Sequence, residues 1–250
     1  MGTDTGGWFR RFHPAGEGAP RLLCFPYAGG SAGAYHALSA ALGPAVEVTV
    51  TQYPGRQDRR REPVVVDLRE LADRIAAEAA ALPTAAFFGH SMGAIVAFEV
   101  ARRLETPPPV LIVSGRRAPS RSRQEGAHPM GDRELLDEMA RLGGTDARLL
   151  DSPAFVRMIL PVARGDYQAI DTYRYEPGPP LDCPIVVLAG DADPLTPVED
   201  AMAWREHGTR GGDAFVFPGG HFFLDDHLER VAEIIRTHVR TGDRVAPKRS

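Results

Sequence analysis

The chain has 250 residues, 43% of them hydrophobic and 25% charged, with a formal net charge of -4. This is the size of one domain at the upper end of the usual range, with the composition of an ordinary globular protein. The acidic balance argues against nucleic acid, whose phosphates call for a basic face. Cys24 and Cys183 each lie in or beside an apolar run, so they read as buried free thiols suited to a reducing compartment. No apolar stretch after Met1 has the form of a signal peptide, and no run reaches the ~20 residues that cross a bilayer. A soluble cytoplasmic protein, without membrane association, is expected.

Short apolar runs, Gly-rich breaks and helical patterns alternate along the chain, which is the signature of a parallel sheet. Arg21 to Phe25 reads as a strand followed by the loop Pro26 to Gly33, and Val46 to Thr51 as a second strand ending in Gln52-Tyr53-Pro54-Gly55-Arg56. Asp67 to Leu82 has Leu68, Leu71, Ile75 and Ala79 on one helical face and is stopped by Pro83. Ala85 to Gly89 is a short buried strand with a helix, Met92 to Leu104, directly behind it. Val110 to Ser114, Ile185 to Ala189 and Ala214 to Phe217 complete the strands, and Asp225 to Val239 is a closing helix. Between Ser114 and Pro184 lie about 70 residues with no strand signal, too many for a simple connection. Helical patterns at Asp132 to Leu142 and Pro153 to Tyr175, the second interrupted by Pro161, make this a helical insertion over about 116–180. It reads as a lid, the alternative being an insertion that merely packs on the body. Residues 1–8 and 241–250 are expected to be flexible tails around a single domain.

Gly89-His90-Ser91-Met92-Gly93 sits between strand and helix, the context in which G-x-S-x-G is a nucleophile elbow and the fold an α/β-hydrolase with helices on both faces of its sheet. A serine hydroxyl needs a base that is itself oriented, and in this fold the chain order is Ser, Asp or Glu, then His. Asp191 and Asp193 both follow the Ile185 to Ala189 strand; analogy with the Gly-x-x-Asp turn that follows this strand in the fold favours Asp193, leaving Asp191 to cap the turn. Of the eight histidines, His221 stands in a Gly-rich loop just after the last strand and is the expected base. His90 should point away from the reacting face of Ser91. An oxyanion hole needs two backbone donors, expected from Met92 and from the loop after the first strand, at Ala28 or else Tyr27. That loop has no nucleotide-binding glycine pattern, and no residue cluster has metal-ligand spacing, so neither cofactor nor metal is expected.

The triad chemistry specifies acyl transfer without naming the acyl group. Phe25-Pro26-Tyr27-Ala28-Gly29-Gly30-Ser31, the Gln52 to Arg56 and Gly89 to Gly93 motifs, Asp171-Thr172-Tyr173-Arg174-Tyr175, Gly190-Asp191-Ala192-Asp193-Pro194 and Gly219-Gly220-His221-Phe222-Phe223 resemble, in order and over nearly the whole chain, the type II thioesterases. These are the stand-alone editing enzymes of polyketide and nonribosomal peptide assembly lines; Tyr27 departs from a frequent His there. The resemblance implies hydrolysis of stalled acyl groups from the phosphopantetheine arm of a transiently bound carrier domain, and the protein is expected to be a monomer. Phe155, Met158, Ile159, Val162 and Tyr167 are candidates to line the acyl chamber. Arg116, Arg117, Arg121 and Arg123, or Arg59, Arg60 and Arg61, are candidates to meet an acidic carrier. The rival readings are a hydrolase of small esters or free acyl-coenzyme A, an acyltransferase using the same residues, and a non-catalytic receptor on a hydrolase scaffold.

Overall fold

Side chains of successive strand residues point to opposite faces, so continuously apolar strands need cover on both sides. The computed structural model describes residues 4–5, 7–121, 130–145 and 147–242. Its strands are β1 (Asp4–Thr5), β2 (Phe9–Arg10), β3 (Arg21–Phe25), β4 (Glu47–Thr51), β5 (Ala86–His90), β6 (Leu111–Ser114), β7 (Ile185–Gly190) and β8 (Ala214–Phe217). They form one sheet in the order β1-β2-β4-β3-β5-β6-β7-β8. β3 to β8 are parallel, and β1 and β2 are antiparallel at one edge. The helices are α1 (His36–Leu42), α2 (Leu68–Ala79), α3 (Met92–Ala101), α4 (Asp132–Leu142), α5 (Ala147–Leu150), α6 (Pro153–Thr172), α7 (Val198–Met202), α8 (Phe223–Asp226) and α9 (Leu228–Gly242).

Alternation sorts the core into two layers. Leu22, Cys24, Phe88, Ile112, Val186 and Leu188 meet α1 and α9 on one face, while Leu23, Phe25, Phe87, Leu111 and Val187 meet α2 and α3 on the other. Every residue of α3 is buried, whereas α2 outside it buries only the stripe Leu68, Leu71, Ala72, Ile75, Ala76 and Ala79. Asp67 starts α2 by accepting a hydrogen bond from Glu70 N at 2.9 Å. Both cysteines are buried free thiols, and burial pushes Cys183 up to about 12 and Cys24 higher still, so neither is a reactive thiolate. No described helix is long and apolar enough to cross a membrane.

The order of the strands places the site. From β3 the sheet grows outward to β4 on one side and to β5, β6, β7 and β8 on the other. The loops after β3 and β5 therefore leave the same sheet edge in a crevice between diverging connections, where open parallel sheets bind their ligands. The loops after β7 and β8 leave that edge too, because all these strands run one way.

The insertion holds α4, α5 and α6. Pro161 lies inside α6 without ending it, and it marks a change of environment. Residues 153–161 are half-buried or exposed, whereas Val162, Ala163, Gly165, Asp166, Tyr167, Ala169 and Ile170 are buried. The inner half of the helix is thus core and the outer half stands over the body. The inner half is also tied down by polar groups. Arg56 Nη1 and Nη2 donate to Asp166 Oδ2 and Oδ1 at 2.7 and 2.8 Å, with side-chain exposures of 6% and 1%. Tyr173, just past α6, donates from its hydroxyl to Glu99 of α3 at 2.7 Å.

Several elements escape the sequence reading. α1 and the β1–β2 hairpin are too short to show a period. Within the segment expected as an N-terminal tail, Asp4–Thr5 pairs with β2, and the Trp8 carbonyl accepts from Gln52 N at 2.7 Å. β2 in turn covers the otherwise open edge of β4. α3 ends at Ala101 rather than Leu104, and α8 precedes a closing helix that starts three residues later than expected, at Leu228. Residues 1–3, 6 and 243–250 of the expected tails, and 122–129 and 146 of the insertion, lie outside the described residues.

A buried ion pair that loses one partner leaves an uncompensated charge, at a cost of about 3–5 kcal/mol. Asp166→Ala should lower unfolding stability by that amount in urea titrations, far beyond the ~0–1 kcal/mol of a surface pair. A loss below about 1 kcal/mol would mean that water or another group already satisfies Arg56.

Candidate active site

β5 ends at His90 and α3 begins at Met92, so Ser91 occupies the turn alone. Its backbone is left-handed, φ +55° and ψ -122°, a conformation costly for a non-glycine residue that holds the hydroxyl out at the edge of the sheet. The flanking glycines are required by close approach. A Cβ on Gly89 would lie 2.2 Å from Gly93 O, and one on Gly93 would lie 2.0 Å from Phe25 O. The elbow is therefore pressed against the end of β3, and the α3 N-terminus directs its free N–H groups at the same spot.

Ser91 Oγ is 2.8 Å from His221 Nε2, and His221 Nδ1 is 2.8 Å from Asp193 Oδ2. His221 and the Asp193 carboxylate are buried, with side-chain exposures of 2% and 0%. A carboxylate only accepts, so Nδ1 carries the proton, leaving Nε2 to accept from Ser91. Asp193 Oδ1 accepts from Leu195 N at 2.8 Å, which aims its other oxygen at His221. Asp191 is exposed and does something else. Its Oδ1 accepts from Gly219 N at 2.9 Å, and its own N–H donates to Phe217 O, fastening the loop that carries His221.

His90 turns away from the Ser91 hydroxyl and packs behind His221, their rings 5.1 Å apart. Its Nδ1 is 3.1 Å from Ser114 Oγ, while Nε2 has no hydrogen-bond partner among the described residues. Burial first, and His221 second, push its pKa well below the ordinary histidine value. His90 is held neutral.

The Gln52 to Arg56 motif acquires a physical role as the cradle of the loop after β3. Gln52 Oε1 accepts from Ala32 N at 2.8 Å, Tyr53 donates to Pro26 O at 3.2 Å and Arg56 donates to Gly30 O at 2.9 Å. Asp166 completes it from the insertion, accepting from Gly29 N at 2.8 Å. Asp166 was missed in the sequence. A lone carboxylate at helical spacing among Val162, Ala163 and Ile170 was the available signal, because such a buried charge must be paired. The loop so held presents Ala28 beside Ser91, and Ala28, Ser91, Met92 and His221 line one cavity of about 30 Å³. Among the described residues neither the Ala28 nor the Met92 N–H has an acceptor within the protein.

The insertion's candidate residues divide between two spaces. Tyr167 lines the small cavity at Ser91. Phe155, Met158, Ile159 and Val162 instead line a groove of about 620 Å³ outside it. The arginine clusters also differ. Arg116 and Arg117 are buried, Arg117 donating to Leu195 O, so they form no surface patch. Arg121 lies 3.9 Å from Glu206, and Arg123 is outside the described residues. Arg59 lies over the Trp8 ring at 4.0 Å and pairs with Glu62. Arg60 and Arg61 are exposed and have no carboxylate partner among the described residues. No group of three His, Cys, Asp or Glu among those residues could hold a metal ion.

Sheet order, elbow and insertion together are those of an α/β-hydrolase. Within that class, the thioesterase domain family matches residues 20–239, and the chain belongs to it. It is 51% identical over 246 residues to a probable cadicidin biosynthesis thioesterase of Streptomyces griseus, covering 96% of this chain and 68% of that one. To the thioesterase PikA5 of Streptomyces venezuelae it is 44% identical, covering 96% and 88%. The structure of the type II thioesterase BorB, from the borrelidin biosynthetic cluster, superposes with a TM-score of 0.87 at 46% identity, covering 95% of this chain and all of that one.

A histidine held neutral by the fold binds its proton more readily when unfolded. Its stabilising contribution is therefore complete above the unfolded value near pH 6.5 and falls as the pH drops through it. The melting temperature should fall between about pH 7.5 and 5.5, and less steeply in His90→Asn. Part of the slope should survive in the variant, because burial also lowers the pKa of His207. Identical slopes in both proteins would show that His90 carries none of this linkage.

Proposed function

We propose that this thioesterase, as a monomer, hydrolyses acyl groups from the phosphopantetheine arm of carrier domains in polyketide or nonribosomal peptide assembly. The observation that carries the reading is the unbroken hydrogen-bond chain Ser91, His221, Asp193 in a member of the thioesterase family. In this reading Ser91 Oγ attacks the thioester carbonyl carbon as His221 Nε2 takes its proton. The carbonyl oxygen becomes an oxyanion that accepts from the Met92 and Ala28 N–H groups, which have no other acceptor among the described residues. Asp193 keeps His221 in the required tautomer and balances the imidazolium. His221 then protonates the departing sulfur, and the arm leaves as a thiol. A water deprotonated by His221 attacks the acyl-Ser91 ester, releasing the acid and restoring the serine. Phe155, Met158, Ile159, Val162 and Tyr167 serve as the apolar surroundings of the acyl group. No cofactor enters the scheme. Exposed Arg60 and Arg61, without a carboxylate partner among the described residues of an acidic protein, suit the acidic face of a carrier.

A carrier domain loaded with short or long acyl groups, followed by intact-protein mass, tests the reaction. Ser91→Ala should lower kcat by about 10⁶-fold, and Asp193→Asn by about 10⁴-fold through the wrong tautomer. Asp191→Asn, remote from the imidazole, should cost less than about tenfold. Release that survives Ser91→Ala would overturn the mechanism, and equal losses at the two aspartates would overturn their assignment.

Charge reversal of Arg60 and Arg61 should raise KM for the acylated carrier and leave KM for the matching small thioester in place, with a steeper effect at low salt. Equal rates on carrier-bound and free thioesters in the unmutated protein would favour a hydrolase of free acyl-coenzyme A instead.

A further inference from the structure

The cavity at Ser91 is too small for the job. At about 30 Å³ it has room for roughly two waters, whereas pockets for small ligands run to about 300–1,000 Å³. A groove of that larger size, about 620 Å³, lies next to it. Both spaces are lined by Tyr27, Gly144 and Thr145, which form the partition between them. The two sides of the partition are packed differently. Gly144 is jammed against Phe222, the residue after His221; a Cβ there would come within 2.1 Å of the ring. Tyr27 meets the same ring edge-on at 4.8 Å, and its hydroxyl donates to Gly144 O at 3.3 Å, a long hydrogen bond near the limit of useful geometry. Burial and nearby Asp225 push its pKa up to about 12, so the phenol remains a donor throughout the neutral range. The turn at Gly144 has no room for a side chain, whereas the half-buried Tyr27 ring is tied to it by that single long hydrogen bond.

Resting on the reading of Ser91 as nucleophile, we infer that the outer groove binds the distal part of long acyl chains, and that Tyr27 sets chain-length preference by closing it off. An acyl group longer than the inner cavity must displace the Tyr27 ring from Gly144 to reach the groove. The wall beyond is built from Val64, Leu149, Phe155, Met158, Ile159 and Val162. Such a wall rewards methylenes, at about fourfold in binding for each one buried. Ser31, Gln57, Arg60, Glu62 and Arg157 also line the groove, so it is its apolar side, and not the whole lining, that matches the acyl chain better than the amides of a pantetheine arm. Tyr27 acts on specificity and not on the chemical step, even though it adjoins the Ala28 donor.

The test compares kcat/KM for acetyl, hexanoyl and dodecanoyl thioesters of both N-acetylcysteamine and coenzyme A, with melting curves to establish folding. In Tyr27→Ala the dodecanoyl-to-acetyl ratio should rise by roughly tenfold or more on either leaving group, equivalent to about two methylenes newly buried. Tyr27→Phe, which removes only the hydrogen bond, should raise it less. Ile159→Trp, which fills the groove, should lower the ratio in the unmutated protein and cancel the gain in Tyr27→Ala. A loss of kcat that is equal at all chain lengths would report damage to the oxyanion loop and leave Tyr27 without a role in specificity. A gain that follows coenzyme A over N-acetylcysteamine regardless of chain length would assign the groove to the arm and overturn the inference. If Tyr27→Ala fails to fold, Tyr27→Phe and Ile159→Trp decide by the same ratio. Ser91→Ala run in parallel separates the two readings. A flat length profile with Ser91-dependent turnover sinks only the Tyr27 inference, and Ser91-independent turnover sinks the nucleophile.

Discussion

The contact between Gly93 and the carbonyl of Phe25 is the constraint from which the site is built. β3 and β5 are neighbours, and their C-terminal ends must pass each other while one enters a loop and the other a helix. There is no space for a side chain at Gly93, or at Gly89 two residues before the serine. Ser91 is consequently forced into a left-handed backbone with its hydroxyl outward, and the loop after β3 is brought directly alongside. The strain is compensated by the surrounding packing, because all of α3 is buried between the sheet and α2.

Everything else at the site is attached to that junction by polar groups in a dry setting. The loop after β3 is held from below by Gln52, Tyr53 and Arg56, and from the insertion by Asp166. A single buried bidentate ion pair therefore couples three segments: the loop after β4, the loop beside Ser91 and the inner half of α6. Two aspartates two residues apart divide the remaining work. Asp193 orients the imidazole and Asp191 fixes the loop on which the imidazole rides. The insertion follows the same division, its inner half belonging to the body and its outer half forming one wall of the groove.

What could be read in the sequence was what is encoded over short distances. The elbow was legible because strand, glycines, serine and helix are contiguous, and their conformational demands are local. The parallel sheet was legible because two-sided burial leaves near-continuous apolar runs in β5, β6 and β7, and α4 agreed with its stripe of Leu135, Met139 and Leu142. His221 and Asp193 were legible only through chain order and the glycines around them, and the choice between Asp191 and Asp193 stayed open in the residues themselves. Local pattern says nothing about which of two nearby carboxylates the turn sends inward.

Tertiary structure alone decided the long-range pairings. Arg56 and Asp166 stand 110 positions apart, and the helical spacing that marks Asp166 as buried does not say which residue pairs with it. Arg116 and Arg117 looked like a charged surface because charge runs usually are solvated, but the loop after β6 turns them into the body. Tyr27 appeared as a departure from its family with no evident use, until folding set it between two cavities against Gly144. The sequence by itself determined the serine turn and the fold that displays it, since both follow from local backbone demands. Which groups surround it, and how much room they leave for an acyl chain, was decided by contacts between segments that only the folded chain brings together.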